Sequence, residues 1–166
     1  MTTVAWDGAT LASDSQSSAN DAVCTLREQK IFYPDNAPWY VNDEVVLAVG
    51  TAGDCGIESQ LFELMESNLT YKSEFTPEPD FTALAITGIG RAWIISKNGG
   101  NTHASVSLQI DSYAIGSGSM IARAVMHCDK GAEYAVKVAT ELDLYSGGDI
   151  QTFTAETEMQ KRVKDE

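Results

Sequence analysis

The chain has 166 residues, of which 43% are hydrophobic and 8% aromatic, so length and composition predict one globular domain with a substantial core. Its 24 acidic and 11 basic residues give a formal charge of -13, which argues against nucleic acids and anionic membranes as partners. No apolar run reaches the roughly 20 residues of a membrane span, and no basic segment followed by an apolar one marks a secretory signal.

The three cysteines are widely spaced and odd in number, and they form no CxxC pair. This pattern argues against both a disulfide framework and a zinc site. It predicts a reducing compartment, and we therefore expect a cytoplasmic protein that binds no metal and no cofactor.

The first predicted elements are two short strands, Thr3 to Trp6 and Thr10 to Ser15. They flank Asp7-Gly8, a dipeptide that favours a type I′ hairpin turn. We therefore expect the N-terminus to form one edge of a sheet.

The next segment, Ser15 to Asp21, is polar and predicts a loop, and Ala22 to Tyr33 contains a further strand. Prolines then predict a loop over Pro34 to Asn42. The apolar run Glu44 to Val49 is typical of a buried strand, and it is expected to stop at the small residues Gly50 to Asp54.

Apolar residues from Ile57 to Leu69 are spaced for an amphipathic helix of about four turns. A strand, a turn of small residues and a helix would leave backbone N–H groups free at the junction, where they can hold a developing oxyanion. The remaining chain predicts a hairpin, two strands, two helices and a last strand: Phe81 to Thr87 with Arg91 to Ser96, Ser105 to Ile110, Ser112 to Ile115, Met120 to His127, Ala132 to Leu142, and Ile150 to Phe153.

This order of elements favours a layered sandwich over a doubly wound parallel sheet. Residues 1–154 are expected to form the single domain, with a charged tail at 155–166. The glycine-rich turn Gly116 to Ser119 is not interpreted as a phosphate-binding loop, because no lysine follows it and the net charge opposes an anionic ligand.

Thr2, near the start of the chain, is a candidate nucleophile. If Met1 is removed, Thr2 carries a hydroxyl nucleophile and its own α-amine, whose reference pKa of about 7.7–8.0 suits a general base. Taken alone, a threonine at position 2 is more often simply the start of a reading frame. Asp14 and Lys30, taken alone, are more often a turn-capping acid and a solvated strand-edge charge.

Six motifs in order nevertheless resemble those of proteasome β-type subunits and the related bacterial HslV-type peptidase. They are Thr2-Thr3-Val4, Ala12-Ser13-Asp14-Ser15, Lys30-Ile31-Phe32, Gly50-Thr51-Ala52-Gly53-Asp54, Gly116-Ser117-Gly118-Ser119 and Asp143-Leu144-Tyr145-Ser146-Gly147-Gly148. The resemblance implies an N-terminal nucleophile hydrolase of the α+β class, with a four-layer αββα sandwich.

The resemblance also implies roles for single residues. Thr2 would be the nucleophile, Lys30 would stabilise its alkoxide form, Asp14 would hold Lys30, and the Gly50 N–H would bind the oxyanion.

A second group, Ser117, Asp143 and Ser146, would orient the Thr2 amine and the water that it activates. The implied activity is that of a threonine endopeptidase acting on peptides or unfolded proteins. The implied assembly is a homo-oligomeric ring, with an ATPase unfoldase as a further partner.

Exposure of the amine would depend on ordinary removal of Met1, since no longer propeptide precedes Thr2. Two alternatives stay open: a catalytically inactive, self-assembling scaffold of the same fold, for example virion-associated, and an amidohydrolase for small substrates. If Thr2 is catalytic, Lys30→Ala is expected to abolish turnover with little loss of stability, on the assumption that the lysine charge is partly screened.

Overall fold

The computed structural model describes residues 2–155, so most of the predicted charged tail, 156–166, lies outside the described residues. Within them the chain forms thirteen strands and three helices. The strands are β1 (Thr3–Trp6), β2 (Thr10–Ser13), β3 (Ser17–Ala19), β4 (Ala22–Thr25), β5 (Ile31–Phe32), β6 (Tyr40–Val41), β7 (Glu44–Val45), β8 (Ala48–Gly53), β9 (Phe81–Gly88), β10 (Arg91–Lys97), β11 (Ser105–Gln109), β12 (Tyr113–Gly116) and β13 (Gln151–Thr154). The helices are α1 (Glu58–Glu66), α2 (Ser119–His127) and α3 (Ala132–Leu142).

Two main sheets organise these elements, and every strand pairing within them is antiparallel. The first has the order β12-β1-β2-β13 and the second the order β11-β10-β9-β8-β5. The expectation that the N-terminal strand forms a sheet edge is wrong, because β1 lies between β12 and β2. Because β1 is paired on both sides, the position of Thr2, the residue directly before it, is well defined.

The hairpin predicted at Asp7-Gly8 is confirmed, but its turn is of another type. Gly8 has a φ of 99° and Ala9 is not in the positive-φ region, whereas a type I′ turn requires a positive φ at both central residues. The Asp7 carboxylate accepts hydrogen bonds from the N–H groups of Ala9 and Thr10 at 2.9 and 2.8 Å. The aspartate therefore caps the turn from the first position instead of occupying its centre.

The strand expected to stop at Gly50 continues to Gly53 as β8. Gly50 is in register with Ile31 on one side and with Leu84 on the other, so the small residues Gly-Thr-Ala-Gly extend the sheet. The strand-to-helix turn lies instead at residues 54–57. The helix α1 that follows ends at Glu66, after about two and a half turns rather than four.

Two further expectations need correction. The polar segment Ser15 to Asp21 contains β3, which pairs with β4 through a turn at Asn20 and Asp21, whose φ angles are 51° and 61°. The segment Pro34 to Asn42 ends in the short strand β6. The hairpin β9–β10, the strands β11, β12 and β13 and the helices α2 and α3 are confirmed to within two residues of their predicted bounds.

Three apolar clusters make the core of the part of the chain that the structure describes. Because side chains alternate along a strand, Val4 and Trp6 of β1 pack in the cluster between the two sheets, whereas Ala5 packs under α2 and α3. The third cluster joins the five-stranded sheet to α1. The chain is thus an α+β protein of antiparallel sheets and three helices, and no described helix is long and apolar enough to cross a membrane.

Candidate active site

Thr2 lies directly before β1 and is only 6% exposed. It lines two neighbouring cavities, one of about 60 Å³ and one of about 560 Å³. Its carbonyl oxygen accepts a hydrogen bond from the Gly118 N–H at 3.4 Å and lies at the same distance from the Ser117 hydroxyl oxygen. No hydrogen bond of the Thr2 hydroxyl is found among residues 2–155, and the residue lines both cavities.

Gly116 explains how the backbone at Thr2 fits so closely against β12. This glycine has a φ of 93°, and a Cβ there would collide with the Thr2 carbonyl oxygen. Only glycine accommodates both the left-handed backbone and the close approach.

Lys30 lies just before β5 and lines the smaller cavity together with Thr2. Its Nζ donates to the Asp14 carboxylate at 2.7 Å and to the Gln16 carbonyl oxygen at 2.5 Å. The lysine is 3% exposed and Asp14 is fully buried. The assumption that the Lys30 charge is partly screened by solvent is therefore wrong, and its removal has consequences for stability that the sequence did not indicate.

The pKa of Lys30 is lowered, because its burial disfavours the ammonium form more strongly than the Asp14 carboxylate favours it. Nearby Glu28 also favours the charged form, to a smaller extent. A lysine of this kind releases or shares a proton more readily than one in water.

Asp14 connects four parts of the chain. Besides Lys30, its carboxylate accepts the N–H groups of Thr3 at 3.1 Å, Gln16 at 3.2 Å and Gly147 at 3.0 Å. These donors satisfy both carboxylate oxygens, as a fully buried charge requires. Asp14 thereby fixes the start of β1 relative to the lysine.

A chain of hydroxyl groups leads from β1 to Asp143. The Ser117 and Ser146 hydroxyls each donate to the same Asp143 oxygen at 2.6 Å. Because Ser146 uses its proton in this way, the Thr3 hydroxyl donates to Ser146, also at 2.6 Å. The three residues Ser117, Asp143 and Ser146 therefore do form one cluster, and it contacts Thr2 through the Ser117 hydroxyl.

Gly50 differs from the other predicted site residues. It lies within β8, where a Cβ would meet Val4, and it is absent from the lining of both cavities beside Thr2. Gly53, three residues further along the same strand, lines both of them. The structure therefore brings Thr2, Asp14, Lys30, Ser117, Asp143 and Ser146 together, and it places Gly50 in the strand next to them, in register with Ile31.

Sequence reasoning missed Gln151. Its side-chain oxygen accepts the Lys30 N–H at 3.0 Å and the Ile31 N–H at 3.3 Å. Its amide group donates to the Glu28 carbonyl at 2.7 Å, the Ser15 hydroxyl at 2.9 Å and the Asp14 carbonyl at 3.3 Å. A single glutamine thus ties the backbone of Asp14 to that of Lys30, and nothing in the sequence around position 151 indicates this.

The arrangement has the parts that acyl transfer needs: an available hydroxyl, a buried cation in the same cavity and a carboxylate-anchored set of hydroxyl groups. Among residues 2–155, no group of three or more His, Cys, Asp or Glu side chains is placed to hold a metal ion.

The sequence matches no family model and no curated protein at a significant level. Solved structures do resemble the chain. A structure of Thiobacillus denitrificans BPH in complex with epoxomicin superposes with a TM-score of 0.61 at 15% identity, over 92% of this chain and 96% of that one. Another structure of Thiobacillus denitrificans BPH gives a TM-score of 0.60 at 16% identity, over 92% and 95%. The chain therefore has a fold similar to that of BPH over nearly the whole length of both proteins.

Proposed function

We propose that the protein is a threonine peptidase that uses Thr2 as an N-terminal nucleophile once Met1 has been removed. The observation that carries this proposal is the common cavity of the Thr2 side chain and Lys30, with Asp14 buried behind the lysine. The similarity in fold to a protein bound to epoxomicin supports it.

In the first half-reaction the Thr2 amine takes the proton of the Thr2 hydroxyl, and Oγ attacks the carbonyl carbon of the substrate. The Lys30 ammonium stabilises the developing alkoxide through its charge. The amine then gives the proton to the leaving nitrogen as the C–N bond breaks, which leaves an ester between Thr2 and the acyl group.

In the second half-reaction water attacks the ester, and the amine accepts a proton from that water before returning it to the Thr2 oxygen. The hydroxyl groups of Ser117 and Ser146, anchored on Asp143, orient the amine and the water. Asp14 acts on Lys30 alone and is a positioning residue.

A backbone N–H of β8 would hold the oxyanion. The family resemblance assigns this role to Gly50, whereas the cavity lining favours Gly53. Loss of one such donor typically slows turnover by about 10²–10³-fold.

The proposal extends to architecture and assembly. We propose that the three core clusters separate four layers in the order αββα, and that residues 1–154 form a single domain. We also propose that the chain assembles as a homo-oligomeric ring, with an ATPase unfoldase supplying unfolded protein substrates.

The test combines intact mass with labelling of the purified full chain. A peptide epoxyketone such as epoxomicin reacts with both the hydroxyl and the free amine of an N-terminal threonine. We expect a mass without Met1 that increases by one inhibitor, together with cleavage of fluorogenic peptides. Thr2→Ala is expected to lose both, and Thr2→Ser, which keeps a hydroxyl, is expected to keep the label.

A chain that retains Met1 and takes up no inhibitor would contradict the proposal and favour the inactive scaffold. A labelled chain that hydrolyses small amides but no peptide would favour the amidohydrolase. Gel filtration of the same sample separates a ring from a monomer.

A further inference from the structure

The two cavities beside Thr2 carry an excess of negative charge. Glu28, Asp54 and Glu58 line the smaller cavity, and Asp54 and Asp80 line the larger one. Lys30 is the single basic residue among the described residues that line either cavity, and the Asp14 carboxylate lies 2.7 Å from its Nζ. Asp14 therefore matches most of the Lys30 charge, and Glu28 is the lining acid closest to benefiting from the rest, whereas Asp54, Glu58 and Asp80 have no ion-pair partner among the described residues.

No cation within residues 2–155 forms a salt bridge with these acids, since the ion pairs found there are Lys30–Asp14 and Arg91–Glu44. Backbone groups satisfy part of three carboxylates: the Asp80 N–H donates to Asp54 at 2.9 Å, the Gly56 N–H donates to Glu58 at 3.1 Å, and the Gly99 N–H donates to Asp80 at 3.5 Å. These bonds fix the positions of the carboxylates without removing their charge.

Cys55 also lines both cavities, and its thiol lies 3.9 Å from the Glu28 carboxylate of the smaller one. Its pKa is raised first by burial and then by the charges of Glu28 and Glu58. The neighbouring carboxylates thus oppose a further negative charge at this position.

The Thr2 side chain, 94% buried, is in the wall of both cavities, and its hydroxyl lacks a hydrogen-bond partner among the described residues. The larger cavity, about 560 Å³, falls within the size range of ligand pockets. Ala52 and Phe81 also line it, and they offer apolar surface to the methylene stem of a long side chain.

We propose that this larger cavity receives a lysine or arginine side chain of the substrate, at the residue whose carbonyl Thr2 attacks. The inference rests on the proposed peptidase function and adds its substrate class. The cationic head lies near Asp54 and Asp80, and the stem packs on Ala52 and Phe81.

The first test compares three fluorogenic peptides that differ only in arginine, leucine or glutamate at that residue. We expect kcat/KM for arginine to exceed that for glutamate by at least about tenfold at low salt. The ratio is expected to shrink as ionic strength rises, because the screening length falls from about 30 Å at 0.01 M to about 3 Å at 1 M.

The double variant Asp54→Asn/Asp80→Asn removes both charges of the larger cavity and keeps an oxygen acceptor at each position. It is expected to lower the arginine-to-leucine ratio several-fold. The matched control Glu63→Gln/Glu66→Gln removes two charges from α1, at residues that line neither cavity, and is expected to keep the native ratio. Preference for leucine in the native chain, or an unchanged ratio in the Asp54/Asp80 variant, would overturn the inference.

Binding measurements test the cavity without turnover. Calorimetry with acetyl-Leu-Arg-amide, acetyl-Leu-Leu-amide and acetyl-Leu-Glu-amide is expected to give the tightest binding for the arginine peptide. A chain that binds this peptide best but takes no epoxyketone label would refute the peptidase function and keep the cationic preference. A labelled chain that cleaves after leucine in preference to arginine would keep the function and refute the preference.

Discussion

Replacing Lys30 with methionine removes the positive charge of the buried pair and keeps an unbranched side chain of similar length. Removal of one partner of a buried ion pair typically costs about 3–5 kcal/mol, because the other charge stays buried. Here Asp14 keeps three backbone donors, the N–H groups of Thr3, Gln16 and Gly147 at 3.0–3.2 Å. We therefore expect a cost near the lower end, about 3 kcal/mol.

In a domain of this size, 1 kcal/mol corresponds to about 2–4 °C in Tm, so Lys30→Met is expected to melt about 6–12 °C below the native chain. Thermal and urea unfolding at pH 7 measure this difference. The control is Lys137→Met, an exposed position of α3, which is expected to change stability by less than about 0.5 kcal/mol.

A decrease of less than about 2 °C for Lys30→Met would refute the reasoning, since it would mean that Asp14 tolerates burial without its cation. The double variant Lys30→Met/Asp14→Asn provides an internal check. Because both charges are then absent, its loss of stability is expected to be smaller than the sum of the two single losses.

Three further predictions concern backbone fit and pH. Gly116→Ala combines a positive φ with a steric collision, so it is expected to lower the free energy of unfolding by at least about 2 kcal/mol. The control is Gly88→Ala, where a Cβ meets no atom within 4 Å. Equal urea midpoints for the two variants would contradict this prediction. Arg91 lowers the pKa of Glu44 from 4.5 to about 2, so Glu44→Gln is expected to be slightly less stable than the native chain at pH 7. This difference in the free energy of unfolding should disappear as pH falls from 4.5 towards 2. A difference that does not change with pH would exclude the ion pair as its cause. The lowered pKa of Lys30 means that, just below pH 10.5, the unfolded chain binds more protons than the folded chain. Urea titrations should therefore show that the native chain becomes more stable relative to Lys30→Met as pH rises towards 10.5. A difference that shrinks over this range would be inconsistent with the lowered pKa.

Much of the fold could be predicted because its signals are local. The apolar spacing at residues 132–142 predicts α3 with its observed ends, and the Asp-Gly pair at residues 7 and 8 predicts the first hairpin. The resemblance in motifs also brought Asp14 and Lys30 together, although they are 16 residues apart in sequence.

The errors arise where distant partners decide the outcome. Gly50 to Gly53 has the composition of a turn, but β9 pairs with it along its whole length and keeps it extended. β1 was expected at an edge because a hairpin specifies one neighbour only, and the other neighbour, β12, is more than a hundred residues away. Lys30 is buried instead of solvated for the same reason, since the Asp14 carboxylate and the Gln16 carbonyl that its ammonium group contacts belong to another segment.

The carboxylate of Asp14 holds groups contributed by residues 3, 16, 30 and 147, so the charged centre is complete only when the last of these has joined. A polypeptide still emerging from the ribosome lacks that final contribution. Under the proposed function, the buried ion pair beside Thr2 would therefore reach its full set of contacts only after the segment around residue 147 has folded against it.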